Sequence, residues 1–230
     1  MRDLRALCFD LDDTLWDVHS VLRRAEQSVA AFLAREYPAL AAVHSVETSM
    51  AARMELARSE PGRAHDLTWL RTEAMTRLAL SVGLPARVGE EAFEVFIAAR
   101  NDVTLYADVM PALAALRQRF PLATLSNGNA DLARIGLAAH FQVMLNARDI
   151  GAAKPDPRAF AAVASALEME PGQIAYIGDD PHADVFGARS AGMRTVWINR
   201  NARSWPSEAR AADHQIGDLS ALLRLLDELE

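Results

Sequence analysis

Short apolar runs that stop abruptly at polar or acidic clusters recur along this 230-residue chain, with longer helix-periodic stretches between them. Residues 4–9 end at Asp10, Leu11, Asp12, Asp13 and Thr14. Leu122 to Leu125 end at Ser126, Asn127 and Gly128, and Ile174 to Ile177 end at Gly178, Asp179 and Asp180. Thr195 to Ile198 forms another run, and Val143 to Leu145 a weaker one. Each is too short for a helix and too apolar for a loop, which leaves a buried strand. Helical periodicity at about 109–119, 130–137, 157–168, 182–191 and 218–229 separates these runs. Alternating strand and helix predicts an α/β fold, a Rossmann-like parallel sheet with right-handed crossovers.

Between 18 and 101 the texture changes to helix-like segments only, broken near Pro38, Pro61, Gly62, Gly83 and Pro85. We therefore expect an all-helical insertion at 18–101 and a sheet domain built from 1–17 and 102–230, with hinges near 16–18 and 101–104. Methionines 50, 54 and 75 fall at helical positions and are assigned to packing.

Composition narrows the partners. With 51% apolar and 24% charged residues the chain has enough material for a core. Its 24 basic and 31 acidic residues give a net charge of −7, which disfavours nucleic acid and an anionic membrane surface. The single cysteine, Cys8, lies inside an apolar run, so an inert buried thiol is expected and no internal disulfide. The sequence contains no apolar stretch of about 20 residues and opens without a signal-peptide pattern, so a cytoplasmic location is expected. Oligomeric state is not encoded in any of these patterns.

Ligands of open parallel sheets collect beyond the carboxyl ends of the strands. That rule gathers Asp10, Asp12, Ser126, Asp179 and Asp180 on one rim, with Lys154 in a proline-stiffened loop opening onto the same edge. Carboxylates so crowded demand protons or a cation, and an oxygen-only set favours Mg²⁺. The six histidines are scattered, which gives zinc no ligand set. Beside such a cation Asp10 is placed to attack phosphorus and Asp12 to move a proton, while Ser126 donates to phosphoryl oxygens and Lys154 offsets negative charge. Lys154 is one lysine against 23 arginines, which suits a site where a planar guanidinium does not fit.

These residues resemble the haloacid dehalogenase superfamily of phosphohydrolases, and the likeness spans essentially the whole chain. FDLDDTLWD at 9–17 is similar to the first motif, implying Asp10 as nucleophile and Asp12 as general acid and base, whose main-chain carbonyl also ligates Mg²⁺. LSNGN at 125–129 resembles the second and implies Ser126 and Asn127 on the phosphate. Lys154 matches the third, and IGDDPHADVFGARSAGM at 177–193 the fourth, with Asp179 as metal ligand supported by Asp180 or Asp184. The helical insertion is similar to the family's C1 cap, which implies closure over the rim. Dehalogenating members lack a carboxylate two residues after the nucleophile, because halide leaves without a proton; Asp12 therefore points to a phosphomonoester. The finer texture resembles a bacterial branch acting on FMN or on a phosphoribitylamino-uracil precursor of riboflavin. Pyrimidine nucleotides, sugar phosphates and phosphomutase chemistry are the alternatives. Trp16, His19, His65, Trp69 and Arg71 are candidates for leaving-group contact, with packing the simpler expectation.

Two rivals of other classes are weaker. A phospho-receiver switch puts its phosphoacceptor after the third strand and has no use for an 80-residue insertion. An EF-hand beginning at Asp10 fails twice, with Leu15 where glycine is required and Val21 where glutamate is required. The lone lysine yields a direct test: Lys154→Arg is expected to reduce turnover by about tenfold or more despite its unchanged charge. Steady-state kinetics near the wild-type values would make that lysine an accident of composition.

Overall fold

A computed structural model describes residues 3–206 and 210–229, and contacts divide the chain into two compact units. The first comprises residues up to Asp17 with Thr104–Gly128 and Gly136 onward; the second comprises Val18–Val103 with Asn129–Ile135.

The first unit is built on a parallel sheet of β1 (Ala6–Phe9), β2 (Leu122–Ser126), β3 (Val143–Asn146), β4 (Ile174–Gly178), β5 (Arg194–Ile198) and β6 (His214–Ile216), in the order β3-β2-β1-β4-β5-β6. β1, β2 and β4 are buried along their whole length, so both sheet faces are covered and the strands read as unbroken apolar runs. Alternation along β1 sends Ala6 and Cys8 into a cluster with Leu125, Tyr176 and the helix Pro157–Leu167, whose Ala159, Phe160 and Val163 are fully buried. That helix starts at the Asp156 cap, which accepts from the Arg158 N–H at 2.9 Å, with Pro157 in the first position. Cys8 is buried and free, and burial pushes its thiol well above the ordinary range, as expected of an inert packing residue.

Three details differ from the periodicity. β6 was not foreseen, because three residues with two polar ones carry no strand signal of their own. The segment 130–137 forms only one helical turn, Leu132–Ile135. The expected helix at 182–191 begins as a π-helical segment, Pro181–Phe186, before Gly187–Ser190 continues as α-helix.

The second unit packs the helices Val18–Glu36, Val46–Ser59, Leu67–Ser81 and Arg87–Arg100. Ala25, Val29 and Leu33 face Val88, Ala92 and Phe96, both sets spaced by four residues along one helical stripe. A Cβ on Gly89 would stand 1.9 Å from Thr76 Oγ1, so only glycine lets these two helices approach so closely. Arg71 lies over the Phe96 ring at 3.5 Å and donates to Glu26 at 2.6 Å, while Trp69 receives the Arg63 guanidinium at 4.0 Å. Met75 packs in this core, but Met50 and Met54 are 54% and 52% exposed, which corrects their assignment to packing. Their four-residue spacing marks one face of Val46–Ser59 that the core does not cover. Asn129–Ile135 is tied to this unit by the Asn101 side chain, which accepts from the Asp131 N–H at 2.7 Å.

Near the carboxyl end of the sheet, Arg200 forms a two-pronged bond to Asp108, 3.0 Å on each prong, and donates to the Thr14 carbonyl at 2.9 Å. Asp108 also accepts from the Leu219 N–H at 2.7 Å. One half-buried carboxylate thus connects the start of two helices, the segment after β5 and the turn after β1. Burial alone would raise the Asp108 pKa, but Arg200 and the Leu219 N–H outweigh it and hold it below the ordinary value. Asp108→Ala is expected to lose roughly 3 kcal/mol of stability by leaving Arg200 uncompensated. The lowered pKa makes the wild-type advantage complete above the ordinary carboxylate range and lost as pH falls through the folded value. Urea unfolding at pH 7 and pH 3 reads both effects.

Candidate active site

Three neighbouring strands deliver the polar groups. The Asp10 N–H donates to the Ile177 carbonyl at 2.8 Å, extending the β1–β4 ladder by one residue and setting Asp10 beside the end of β4. Ser126 closes β2 on the other side, and Asp179 follows Gly178 at the end of β4. Lys154 enters from the loop after Ala147–Ile150, through a cis peptide to Pro155.

The Lys154 ammonium sits at the centre and is almost wholly buried. Its Nζ donates to Asp10 Oδ1 at 2.5 Å, Asp184 Oδ1 at 2.7 Å and the Tyr176 hydroxyl at 2.8 Å. Tyr176 in turn donates to the Leu125 carbonyl at 2.9 Å. Asn127 closes a reciprocal pair on the same lysine: its Nδ2 donates to the Lys154 carbonyl at 2.9 Å and its Oδ1 accepts from the Lys154 N–H at 2.7 Å. The resemblance assigns Asn127 to substrate, whereas here its carboxamide is committed to the lysine's main chain.

Asp10, Asp179 and Asp184 bring one carboxylate oxygen each within 4.8 Å of one another, a group able to hold a metal ion. Burial, then the Asp184 charge, push Asp179 up to about 7, with Arg203 opposing from 3.0 Å. Burial also drives Asp10 well above its ordinary value; Lys154 opposes this while Asp184 and Asp12 add to it. Lys154 goes up too: burial would lower it, but the charges of Asp10 and Asp184 prevail. Burial is the largest cause for Asp10 and Asp179 and the neighbouring carboxylates add to it, while for Lys154 the carboxylates overcome burial; all three shifts favour uptake of positive charge.

Of the two acids open for support, Asp184 faces the site and Asp180 does not. Asp180 caps the segment Pro181–Phe186, accepting from the His182 and Ala183 N–H groups at 2.7 Å each. Asp184 is held by Lys154 on one oxygen and by the Asp180 N–H, at 2.9 Å, on the other. Asp12 stands in the turn after β1, where its Oδ1 accepts from the Trp16 indole N–H at 2.8 Å. Ser126 Oγ accepts from the Gly128 N–H at 2.9 Å, which leaves the hydroxyl proton for another acceptor.

Sequence reasoning missed Tyr176 and Arg203. Tyr176 had a signal, a hydroxyl in the otherwise apolar run IAYIG. Arg203, which reaches the Asp179 carbonyl at 2.9 Å as well as its carboxylate, had none.

Residues 4–192, which carry this parallel sheet and the acid and lysine cluster at its carboxyl edge, match the model of the haloacid dehalogenase-like hydrolases. The chain belongs to that family and is an enzyme of that superfamily. It is 31% identical, over 97% of its length and 96% of the relative's, to the 5-amino-6-(5-phospho-D-ribitylamino)uracil phosphatase YigB of Escherichia coli. It is 35% identical, over 94% of its length and 96% of the relative's, to the phosphoserine phosphatase of Thermus thermophilus. A crystal structure of a 2-haloacid dehalogenase from Pseudomonas syringae pv. Tomato superposes with a TM-score of 0.93 at 33% identity, covering 99% of this chain and 100% of that one. Among the described residues no helix is long and apolar enough to cross a membrane.

Gly178 shows how tightly the cluster is set, since a Cβ there would stand 2.4 Å from the Asp184 carboxyl carbon. Gly178→Ala is expected to displace Asp184 from Lys154 and to lose about 1–3 kcal/mol of stability through overpacking. A crystal structure of the variant with Asp184 unmoved would contradict this.

Proposed function

We propose that the enzyme is a Mg²⁺-dependent phosphatase that hydrolyses a small phosphomonoester through an aspartyl phosphate on Asp10. The observation that carries this reading is Asp12, a carboxylate two residues beyond Asp10 and fastened by Trp16, which serves a reaction whose leaving group needs a proton. Asp10 Oδ attacks phosphorus as the ester P–O bond breaks, and the Asp12 proton goes to the departing alkoxide. Asp12 then takes a proton from water, whose oxygen bonds to phosphorus as the Asp10–phosphorus bond breaks, freeing inorganic phosphate. Lys154 neutralises part of the charge that builds on Asp10 and the phosphoryl oxygens, and Ser126 donates its hydroxyl to one of those oxygens. Asn127 serves this step by holding the Lys154 main chain.

The donor set fits Mg²⁺. Asp10, Asp179 and Asp184 offer an oxygen-only set with one carboxylate oxygen each within 4.8 Å of the others, the hard donors this ion takes. Asp10, Asp179 and Asp184 would hold or support the ion, together with the Asp12 main-chain carbonyl that the family resemblance implies. When bound, it would polarise the phosphoryl group and neutralise its charge. The helical unit takes the role of the family's C1 cap and sets substrate choice. For the substrate, the 5-amino-6-(5-phospho-D-ribitylamino)uracil phosphatase relative favours a ribitylamino-uracil phosphate, the family resemblance adds FMN, and the phosphoserine phosphatase relative makes phosphoserine the next candidate.

The 0.93 TM-score to a 2-haloacid dehalogenase favours a second reading, halide displacement by Asp10. In that reaction Asp12 has no proton to deliver. Incubation with Mg²⁺ and a panel of FMN, ribitylamino-uracil phosphate, phosphoserine and sugar phosphates is expected to release inorganic phosphate, and (S)-2-chloropropionate no chloride. Asp10→Asn should fall below a few per cent of wild-type activity, and chelation should abolish phosphate release until Mg²⁺ is restored. Chloride release without phosphate release would replace this reading with the dehalogenase.

A further inference from the structure

We propose that Arg203 is a positioning residue for the cation site, fixing the Asp179 carboxylate in the orientation that Mg²⁺ needs; this rests on the Mg²⁺-dependent reading above. The guanidinium reaches the site from a loop built around Asn199. That residue is buried at the end of β5 and extends the β5–β6 pairing, its N–H donating to the Ile216 carbonyl at 2.8 Å. Its side chain grips the main chain of Arg203 twice: Nδ2 donates to the Arg203 carbonyl and Oδ1 accepts from the Arg203 N–H, each at 2.8 Å. Between the two, Ala202 takes a left-handed φ of 49°, a conformation costly for a residue other than glycine. Asn127 holds the main chain of Lys154 with the same pair of bonds. Lys154 and Arg203, which pair with the acid group, are thus both mounted on an asparagine just beyond a strand.

Arg203 uses one nitrogen for two bonds. Nη2 donates to the Asp179 main-chain carbonyl at 2.9 Å and to Asp179 Oδ2 at 3.0 Å. The two hydrogens of one NH₂ group thereby tie the side chain of Asp179 to its own main chain, which sets both of its χ angles. The Trp197 indole N–H donates to the same carbonyl at 2.7 Å, from the position opposite Gly178 in the β4–β5 register, so the main-chain end of the tie is itself fixed. Mg²⁺ demands near-octahedral ligands at short distance, whereas Ca²⁺ accepts flexible arrangements of a variable number of oxygens. A guanidinium also repels a nearby cation. The Arg203 side chain is 49% exposed, so water weakens that repulsion while the two bonds keep their geometry. Positioning therefore outweighs repulsion, and its loss falls on Mg²⁺ first.

The test is titration calorimetry of Mg²⁺ and of Ca²⁺, each alone, into wild type, Arg203→Lys and Arg203→Met. Lysine keeps the charge but ends one bond short of Nη2, and methionine removes both charge and donors. The expected result is a rise of about tenfold or more in the Kd for Mg²⁺ in both variants, with the Kd for Ca²⁺ moving less than about threefold. Because the side chain is half-exposed, unfolding midpoints without metal should stay within about 2 °C of wild type, and the lysine variant decides if methionine lowers its own further. Tighter binding of both ions to the methionine variant with lysine unchanged would reduce Arg203 to a charge effect. Equal weakening of both ions, or an unchanged Mg²⁺ affinity in both variants, would likewise overturn the positioning role while leaving the phosphatase intact. Wild-type enzyme that binds no Mg²⁺ would instead sink the Mg²⁺-dependent reading itself.

Discussion

A single ammonium buried among carboxylates organises the carboxyl end of this sheet. Lys154 has three donors, and each has an acceptor: Asp10, Asp184 and Tyr176. A buried charge with any donor unmet would cost several kcal/mol, so the cluster is stable only when all three partners are in position together. The three come from separate parts of the chain, the end of β1, the interior of β4 and the helical segment after it, and they meet only if the parallel register is correct. Asp179 adds a further carboxylate, and with Asp10 and Asp184 it forms a group able to hold a metal ion.

The surrounding structure serves that arrangement. Asn127 holds the main chain of Lys154 from the end of β2, so the lysine's stem is fixed as well as its head. Gly178 gives Asp184 the room it occupies, and Tyr176 transmits the lysine's hydrogen bonding to the Leu125 carbonyl of the adjacent strand. The Asp108–Arg200 pair fastens the turn after β1, where Asp12 and Trp16 lie, to the segment after β5. On the proposed reading, the group that attacks and the group that moves protons are thus held by different supports, Asp10 by the lysine cluster and Asp12 by an indole.

Much of this was legible beforehand because the signals are local. An apolar run of four or five residues that ends in polar or acidic groups reads as a buried strand delivering those groups to its carboxyl end, and Asp10, Ser126 and Asp179 were readable on that ground. The less legible parts depend on distant contacts. β6 is a strand because β5 offers it an edge, Tyr176 matters because Lys154 arrives beside it, and Met50 and Met54 are exposed because the core fills from the opposite helix face. The stretch 129–135 packs with the helical unit through Asn101 and Thr68, partners far away in the chain.

Residue order alone determined the class of fold, the strand ends that carry chemistry and the kinds of group present there, because hydrophobic periodicity and charge are properties of neighbours along a chain. Only the tertiary structure set Asp184 against Lys154 and Asp180 on the N–H groups of His182 and Ala183. Both are acids at the start of the same helical segment, but one lies where its oxygens cap free N–H groups and the other is turned by that segment's phase toward Lys154. The direction of a hydrogen bond between residues 30 or 144 positions apart is set by strand register and burial, which no local pattern records.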